Sequence, residues 1–64
     1  MKLKDLKHGD YFTLKQIDEP KETQVYVRLA YDWVQKKYGC CKFTGTNITR
    51  YYPSDKEVYT DFIF

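Results

Sequence analysis

The sequence predicts a mainly all-β fold: a small five-stranded antiparallel barrel that begins with a short N-terminal helical turn. Apolar residues alternate with polar ones over several short segments, as they do on strands with one buried face. Turn-forming residues separate these segments at short intervals. A chain of 64 residues is also too short to cover the edges of an open sheet, and closure removes those edges.

The N-terminal segment is the one stretch with helical spacing. Leu3 and Leu6 are three residues apart, which predicts a single helical turn with one apolar side. A Gly–Asp pair ends this turn. Residues 10–15 then alternate as a first strand, with Phe12 and Leu14 expected on the buried face.

The strongest strand pattern lies over residues 24–31. Its aliphatic side chains alternate with Tyr26 and Arg28, which predicts a buried aliphatic face and an outer face that carries the tyrosine and the arginine. The loop 32–36 then leads to a partner strand over 37–44, and its length suits a hairpin.

The partner strand also has two distinct faces. Alternation places Tyr38, Cys40 and Lys42 on its outer face. Cys41 and Phe43 fall on the other face, which we assign to the core.

Two further strand segments follow the hairpin. A turn over 44–47 precedes residues 48–52, which form either a short strand or an irregular bend. A second turn over 53–56, opened by a proline, leads to a last strand over 57–64. The chain contains no repeat and no linker, so we expect one domain, 1–64.

The period-two pattern predicts one buried face shared by successive strands. A chain of this size buries only about 60% of its unfolded surface, so a homo-oligomer is a serious option. The side chains expected in the core are Phe12, Leu14, Val25, Val27, Leu29, Cys41, Phe43, Val58 and Phe62.

Charge and cysteine content limit the function classes. The net charge of +2 and the pI of about 8.5 tolerate nucleic acid without demanding it. Cys40 and Cys41 are adjacent, so on a strand they point to opposite faces and are badly placed to form a disulfide. With no apolar signal segment at the start of the chain, these features predict a cytoplasmic protein without membrane association.

No set of residues predicts catalysis or a cofactor. His8 is a lone candidate base, and Ser54 has no histidine partner that the sequence identifies. One histidine and two adjacent cysteines are too few for a zinc site. The three glycines are scattered and form no phosphate-binding loop. We therefore expect a protein that is not an enzyme and holds no metal.

Three segments resemble the SH3-like small barrels. Residues 6–12, Leu-Lys-His-Gly-Asp-Tyr-Phe, are similar to the Leu-x-x-Gly-Asp-x-Phe entry to the first strand of those barrels. The Val-Tyr-Val of residues 25–27 and the Asp-Lys-Glu-Val-Tyr of 55–59 are similar to later strands. The chain also resembles short uncharacterised proteins of gut phages and mobile elements, and that resemblance implies an accessory role.

Aromatic residues interleaved with cations are the main functional signal. Seven tyrosines, four phenylalanines and one tryptophan stand among eleven lysines and arginines, which is more ring surface than a small core hides. Rings stack on bases and cations contact phosphates. The predicted ligand-binding residues are Tyr26, Arg28, Trp33, Tyr38, Lys42, Arg50 and Tyr51.

Each part of this surface also has a structural interpretation. Tyr26 and Tyr38 could be a cross-strand pair that only covers the hairpin. Trp33 and its neighbour Val34 fall at a loop tip, where they either fold back over a barrel end or anchor a partner. The same two options hold for Tyr51 beside Arg50.

The sequence predicts a binding protein and leaves two partner classes open. The first is a nucleotide or nucleic acid, which includes a phage accessory protein that sequesters a nucleotide signal in the host cytoplasm. The second is a protein, as in an interaction module or a phage inhibitor of a host protein, with Trp33 and Val34 as the hydrophobic hot spot. We expect the first class to be salt-sensitive and the second less so.

Overall fold

Four antiparallel strands form one open sheet in this computed structural model, which describes residues 1–45 and 49–64. The strands lie side by side in chain order. Their bounds are β1 (Tyr11–Phe12), β2 (Tyr26–Asp32), β3 (Lys37–Lys42) and β4 (Gly45–Pro53). The predicted mainly β, antiparallel fold is confirmed. The turn predicted over 44–47 lies partly outside the described residues.

The segment after β4 does not form the predicted fifth strand. It makes two isolated bridges, one of them through paired backbone hydrogen bonds between Thr13 and Tyr59 of 2.9 and 3.0 Å. The backbone carbonyls of Ser54 and Lys56 instead accept from the N–H groups of the N-terminal segment. Within 57–64, the Val58 N–H donates to the Met1 carbonyl and Tyr59 pairs with Thr13, and these contacts form isolated bridges instead of a continuous ladder. The sheet is therefore open and does not close into a five-stranded barrel.

The N-terminal helical turn is a short 3-10 turn over Leu3–Asp5. Its first free N–H, from Lys2, donates to the Asp5 carboxylate over 3.0 Å. Leu3 and Leu6 are buried, as their spacing predicts. A second 3-10 turn covers Glu22–Gln24. No helix among the described residues is long and apolar enough to cross a membrane.

The principal core contains Phe12 and Val58, as predicted, and it covers the face of the β2–β3 hairpin that the sequence assigned to solvent. Cys40 is fully buried within this core, and the rings of Tyr26 and Tyr38 pack against it. The predicted outward placement of these three residues is therefore wrong. The buried members of the core cluster are Leu3, Leu6, Phe12, Cys40 and Val58.

The physical reason is that the N-terminal turn and the segment around Val58 cover this face. Leucines from the 3-10 turn and Val58 pack on it, so half-buried tyrosines become part of the core. A register shift between Arg28 and Tyr31 also breaks the two-residue period of β2. Beyond such a bulge, alternation counted from the start of the strand assigns side chains to the wrong face.

The opposite face is only partly covered. Val25 and Cys41 are buried there, whereas Val27 and Leu29 are half-buried. Of the other predicted core residues, Phe12 and Val58 are buried and Leu14 and Phe62 are half-buried. Phe43 is 39% exposed, so its assignment to the core is wrong.

Phe43 belongs to a cluster of aromatic rings at the margin of the sheet, outside the principal core. It makes edge-to-face contacts with Tyr11 and Phe64 at centroid distances of 5.6 and 4.9 Å. Tyr11 and Phe64 contact each other in the same way at 5.8 Å. Contacts of this geometry stabilise the rings laterally while leaving their outer surfaces in water.

Candidate functional site

The tip of the β2–β3 hairpin is organised by the Asp32 side chain. One carboxylate oxygen accepts hydrogen bonds from the backbone N–H groups of Val34 and Gln35, over 2.9 and 3.3 Å. The other accepts from the Gln35 amide over 3.0 Å. Aspartate favours turns because its side chain reaches the N–H two residues ahead. These hydrogen bonds stabilise the turn that connects β2 to β3, and the predicted hairpin is thus present.

The same hydrogen bonds make this turn dependent on charge. Those from Gln35 and Val34 stabilise the ionised carboxylate and lower the pKa of Asp32, the backbone N–H of Gln35 being the largest cause. The organised tip is thus the form present at neutral pH.

Two apolar side chains project from this tip into solvent. Trp33 is 81% exposed and Val34 is 93% exposed. The indole packs edge-to-face on Tyr31 at a centroid distance of 4.8 Å, and Tyr31 in turn contacts Tyr38 at 4.9 Å. The interpretation of Trp33 as a plug over a barrel end is wrong, because most of its ring faces water.

An open groove of about 570 Å³ runs beside Trp33 on the less covered face of the sheet. Gly39 lies at its base and is buried beside the side chains of Thr49 and Tyr51. The aromatic residues of its lining are Tyr31, Trp33 and Tyr51, and Asp32 adds a carboxylate. Leu29 and Val34 add aliphatic surface. We call this the Gly39 groove.

A second groove, of about 370 Å³, lies on the other side of the indole. Tyr31 and Tyr38 line it together with Trp33, and Lys4 and Ser54 supply a cation and a hydroxyl. We call this the Lys4 groove. Trp33 and Tyr31 thus line both grooves, of which the Gly39 groove is mainly apolar and the Lys4 groove is aromatic and polar.

Comparison with known proteins identifies no relative of this chain. No family model, curated protein or solved structure matches the chain.

The structure turns three predicted site residues towards the core. Tyr26 stacks on Phe12 at 5.7 Å. The Arg28 guanidinium lies 4.1 Å from the centroid of the Tyr38 ring, a cation–π contact, and its buried Nε has no hydrogen-bond partner among the described residues. Tyr38 keeps one side in the Lys4 groove. Tyr26 and Arg28 do not line either groove beside Trp33.

The other predicted site residues are dispersed. Lys42 pairs in register with Tyr26, at the opposite end of β3 from the hairpin tip. Tyr51 is 41% exposed and lines the Gly39 groove, whereas its neighbour Arg50 is exposed on the other face of β4. The four predicted site residues on the strands of the hairpin, Tyr26, Arg28, Tyr38 and Lys42, therefore lie near one another but are half-buried. Trp33, Tyr38 and Tyr51 are the predicted site residues that line the grooves at the tip.

Sequence reasoning missed Lys4, Tyr31 and Gly39 as parts of the site. Tyr31 and Tyr38 pair directly across the two strands beside the loop. Because both tyrosines adjoin the predicted hairpin loop, their pairing could have been predicted from the sequence. Lys4 reaches the site through the N-terminal turn, a long-range contact that local pattern does not reveal.

Reactive groups lie away from the tip. Burial raises the pKa of the Cys40 thiol to about 11, which disfavours the nucleophilic thiolate. Both cysteines are free and buried. Among residues 1–45 and 49–64, no group of three or more His, Cys, Asp or Glu side chains is placed to hold a metal ion.

Proposed function

We propose that this chain is a non-enzymatic binding protein that contacts another protein through the tip of the β2–β3 hairpin. The observation that carries the proposal is the exposure of Trp33 and Val34 beside the Gly39 groove. Contiguous exposed apolar surface is costly in water and commonly marks an interaction site. Tryptophan is also among the residues most enriched in interface hot spots.

The rigidity of the tip supports a role in recognition. Three hydrogen bonds to Asp32 fix the loop, and Tyr31 supports one edge of the indole. Side chains that are ordered before binding lose less conformational entropy when the complex forms. Trp33 is therefore preorganised as an anchor.

A protein partner fits the tip better than the nucleotide that the sequence favours. The nucleotide hypothesis depends on an outward surface of Tyr26, Arg28 and Tyr38, and all three pack towards the core. The groove beside Val34 has aliphatic and aromatic walls. Such a surface matches apolar side chains of a protein better than the phosphates of a nucleotide.

The test is a quantitative affinity capture from a host extract with three baits: wild type, Trp33→Ala and Ile63→Ala. Proteins held through the tip are retained by wild type and lost with Trp33→Ala. Binding of each captured protein, once purified, should weaken by about 30-fold or more, corresponding to the roughly 2 kcal/mol of a hot-spot residue. Ile63→Ala is the matched control, because Ile63 is also exposed but lies near the other end of the chain. Equal retention by all three baits would contradict the proposal.

The Lys4 groove favours a second candidate, a nucleotide or single-stranded nucleic acid. It combines the rings of Tyr31, Trp33 and Tyr38 with one cation and one hydroxyl. Base stacking on rings contributes about 1–3 kcal/mol per base, and lysine can contact a phosphate. This candidate uses the opposite side of the indole from the protein interface.

Oligothymidylate and a set of nucleotides are suitable probes, since the chain has one tryptophan. Stacking quenches the fluorescence of Trp33, and Lys4→Ala should reduce the salt dependence of binding. Val34→Ser is the control that leaves this binding unchanged, because Val34 lines only the Gly39 groove of the two. Unquenched fluorescence at millimolar nucleotide would eliminate the candidate. The accessory role in a phage that the resemblance implies is compatible with either partner.

A further inference from the structure

We infer that the face of the sheet that holds the principal core binds a phosphate group through three cations around Cys40: Arg28, Lys42 and Arg50. This site lies on the strands, away from the hairpin tip. The inference therefore goes beyond the proposed function and does not depend on it.

The strand register brings the three cations together. Arg28 on β2 and Arg50 on β4 are both opposite Cys40, which lies between them on β3. Lys42 is two residues from Cys40 on the same strand, so it is on the same face and diagonal to both arginines. Diagonal neighbours are about 7–8 Å apart, which long side chains span. One anion can therefore contact Lys42 and Arg50 together, while Arg28 adds its charge from β2.

Contacts place both arginines on the face of the core. The Arg28 guanidinium lies 4.1 Å from the centroid of the Tyr38 ring, and Tyr38 packs against the core cluster. Burial raises the pKa of the Cys40 thiol, and the charge of Arg28 opposes this rise. Burial also raises the pKa of the Tyr52 hydroxyl, and the charge of Arg50 opposes that rise. The positive charges of β2 and β4 thus act on neighbouring groups of one face.

No carboxylate of the described residues neutralises these cations. The ion pairs that the structure describes are those of Glu57 with Lys2 and with the N-terminal ammonium. Asp32, the one acidic residue of the three strands, accepts hydrogen bonds in the turn at the hairpin tip. The buried Nε of Arg28 has no hydrogen-bond partner among the described residues. Half-buried positive charge without a counter-charge is unfavourable, and a bound anion offsets this cost.

A phosphate group is the anion that this arrangement fits. A phosphate ester carries a charge of about −1.5 to −2 and three acceptor oxygens, which match several cations at once. Lys42 is half-buried and Arg50 is exposed, so the site is open to solvent beside β4. A base would find no free ring here, because Tyr26 stacks on Phe12 and contacts another tyrosine edge-to-face.

Nitrogen–proton correlation NMR spectra recorded with inorganic phosphate test the inference directly. The reference is sodium chloride at the same neutral pH and ionic strength, which removes the general effect of screening. Phosphate should cause saturable shifts of the Lys42 and Arg50 amides. We expect a dissociation constant on the order of 1 mM, because partly exposed ion pairs are weak. Shifts no larger than those caused by chloride would overturn the inference.

Variants of the same charge change locate the bound phosphate. Lys42→Gln and Arg50→Gln should each weaken binding about 10-fold, since each removes a hydrogen bond between charged groups. Arg50 is exposed, so its replacement does not depend on the core tolerating a change. Lys37→Gln is the matched control, because it removes one charge from the opposite face of β3 and should leave binding unchanged. A control that weakens binding as much as Arg50→Gln would overturn the site.

Adenosine monophosphate distinguishes a nucleotide from free phosphate. It should bind as tightly as inorganic phosphate and leave Trp33 fluorescence unchanged, because the site recognises only the phosphate group. Trp33→Ala should bind phosphate like wild type, whatever it does to partner capture. Phosphate binding that Trp33→Ala abolishes and Arg50→Gln retains would place the anion at the hairpin tip and overturn the inference.

Discussion

Apolar side chains occur both at the hairpin tip and in the core around Phe12 and Cys40, which we call the covered end of the sheet, but their surroundings are opposite. At the covered end, Phe12 and Cys40 lie beneath the N-terminal turn and lose all contact with solvent. At the tip, Trp33 and Val34 extend beyond the last cross-strand pair and are almost fully exposed. Hydrophobicity alone does not distinguish the two regions, since the difference depends on what the rest of the chain places above them.

This contrast separates stability from recognition. Burial of apolar side chains is the main source of folding free energy, so the covered end should determine whether the domain folds. The tip adds little to folding and should determine what the domain binds. Substitutions at the two ends should therefore have opposite consequences.

The largest effect is expected at Phe12. Its ring is fully buried and stacks on Tyr26. Phe12→Ala should destabilise the domain by about 3–5 kcal/mol, which is comparable to the whole stability of a chain this small. Urea denaturation followed by circular dichroism should show a largely unfolded variant. Phe12→Leu, the milder control, should stay folded, and a stable Phe12→Ala variant would mean that the core lies elsewhere.

A smaller effect is expected from the Cys40 thiol in alkaline solution. Its folded pKa of about 11 lies above its ordinary value of 9.0 because burial disfavours the thiolate. The unfolded chain therefore ionises first, so this contribution is fully present below pH 9 and is lost as the pH rises through about 11, amounting to roughly 2–3 kcal/mol.

Comparison of wild type with Cys40→Ala isolates this contribution from the titration of other groups. The alkaline decline between pH 9 and 11 should be shallower in the variant. Thiol titration of the denatured wild type should find two free thiols per chain. In the native protein at pH 8, Cys40 should react far more slowly than in the denatured protein. A rapidly reacting native Cys40 would show that the covered end is open.

A local effect is expected at the tip when the pH falls. The folded pKa of Asp32 is lowered, so the stabilisation from its hydrogen bonds is present above its ordinary value of 3.8 and is lost as the pH drops through the folded value. Trp33 emission should change over this acidic range before the far-ultraviolet spectrum does. Asp32→Asn should remove the acid transition, and an unchanged transition in that variant would assign it to another group.

The hairpin and the position of its loop are the parts of the molecule that sequence predicts well. Residues 24–31 and 37–44 correspond to β2 and β3, because local alternation and loop length determine a hairpin. The hairpin buries side chains on both faces: Val25 and Cys41 are buried as predicted, whereas the burial of Cys40 on the opposite face was not predicted. Tyr26 and Val27 are both apolar enough for a core, and the covering Leu3 comes from a distant segment.

The sequence predicts only the part of the site that is formed by neighbouring residues of one loop. Trp33 follows from apolar residues in a short loop, whereas the Gly39 groove depends on β4 and the Lys4 groove on the N-terminal turn. The last strand fails for a similar reason. Its alternation suits a strand, yet its backbone makes only isolated bridges, to Lys2 and Thr13, which belong to segments distant in sequence.

The free energy of unfolding of Trp33→Ala, compared with that of wild type, tests the central claim most directly. An anchor that is 81% exposed should change stability by less than about 0.5 kcal/mol, while the same variant loses partner capture. A loss of about 2 kcal/mol or more, with binding per folded molecule unchanged, would show that Trp33 supports the fold and that the hairpin tip is not the binding surface.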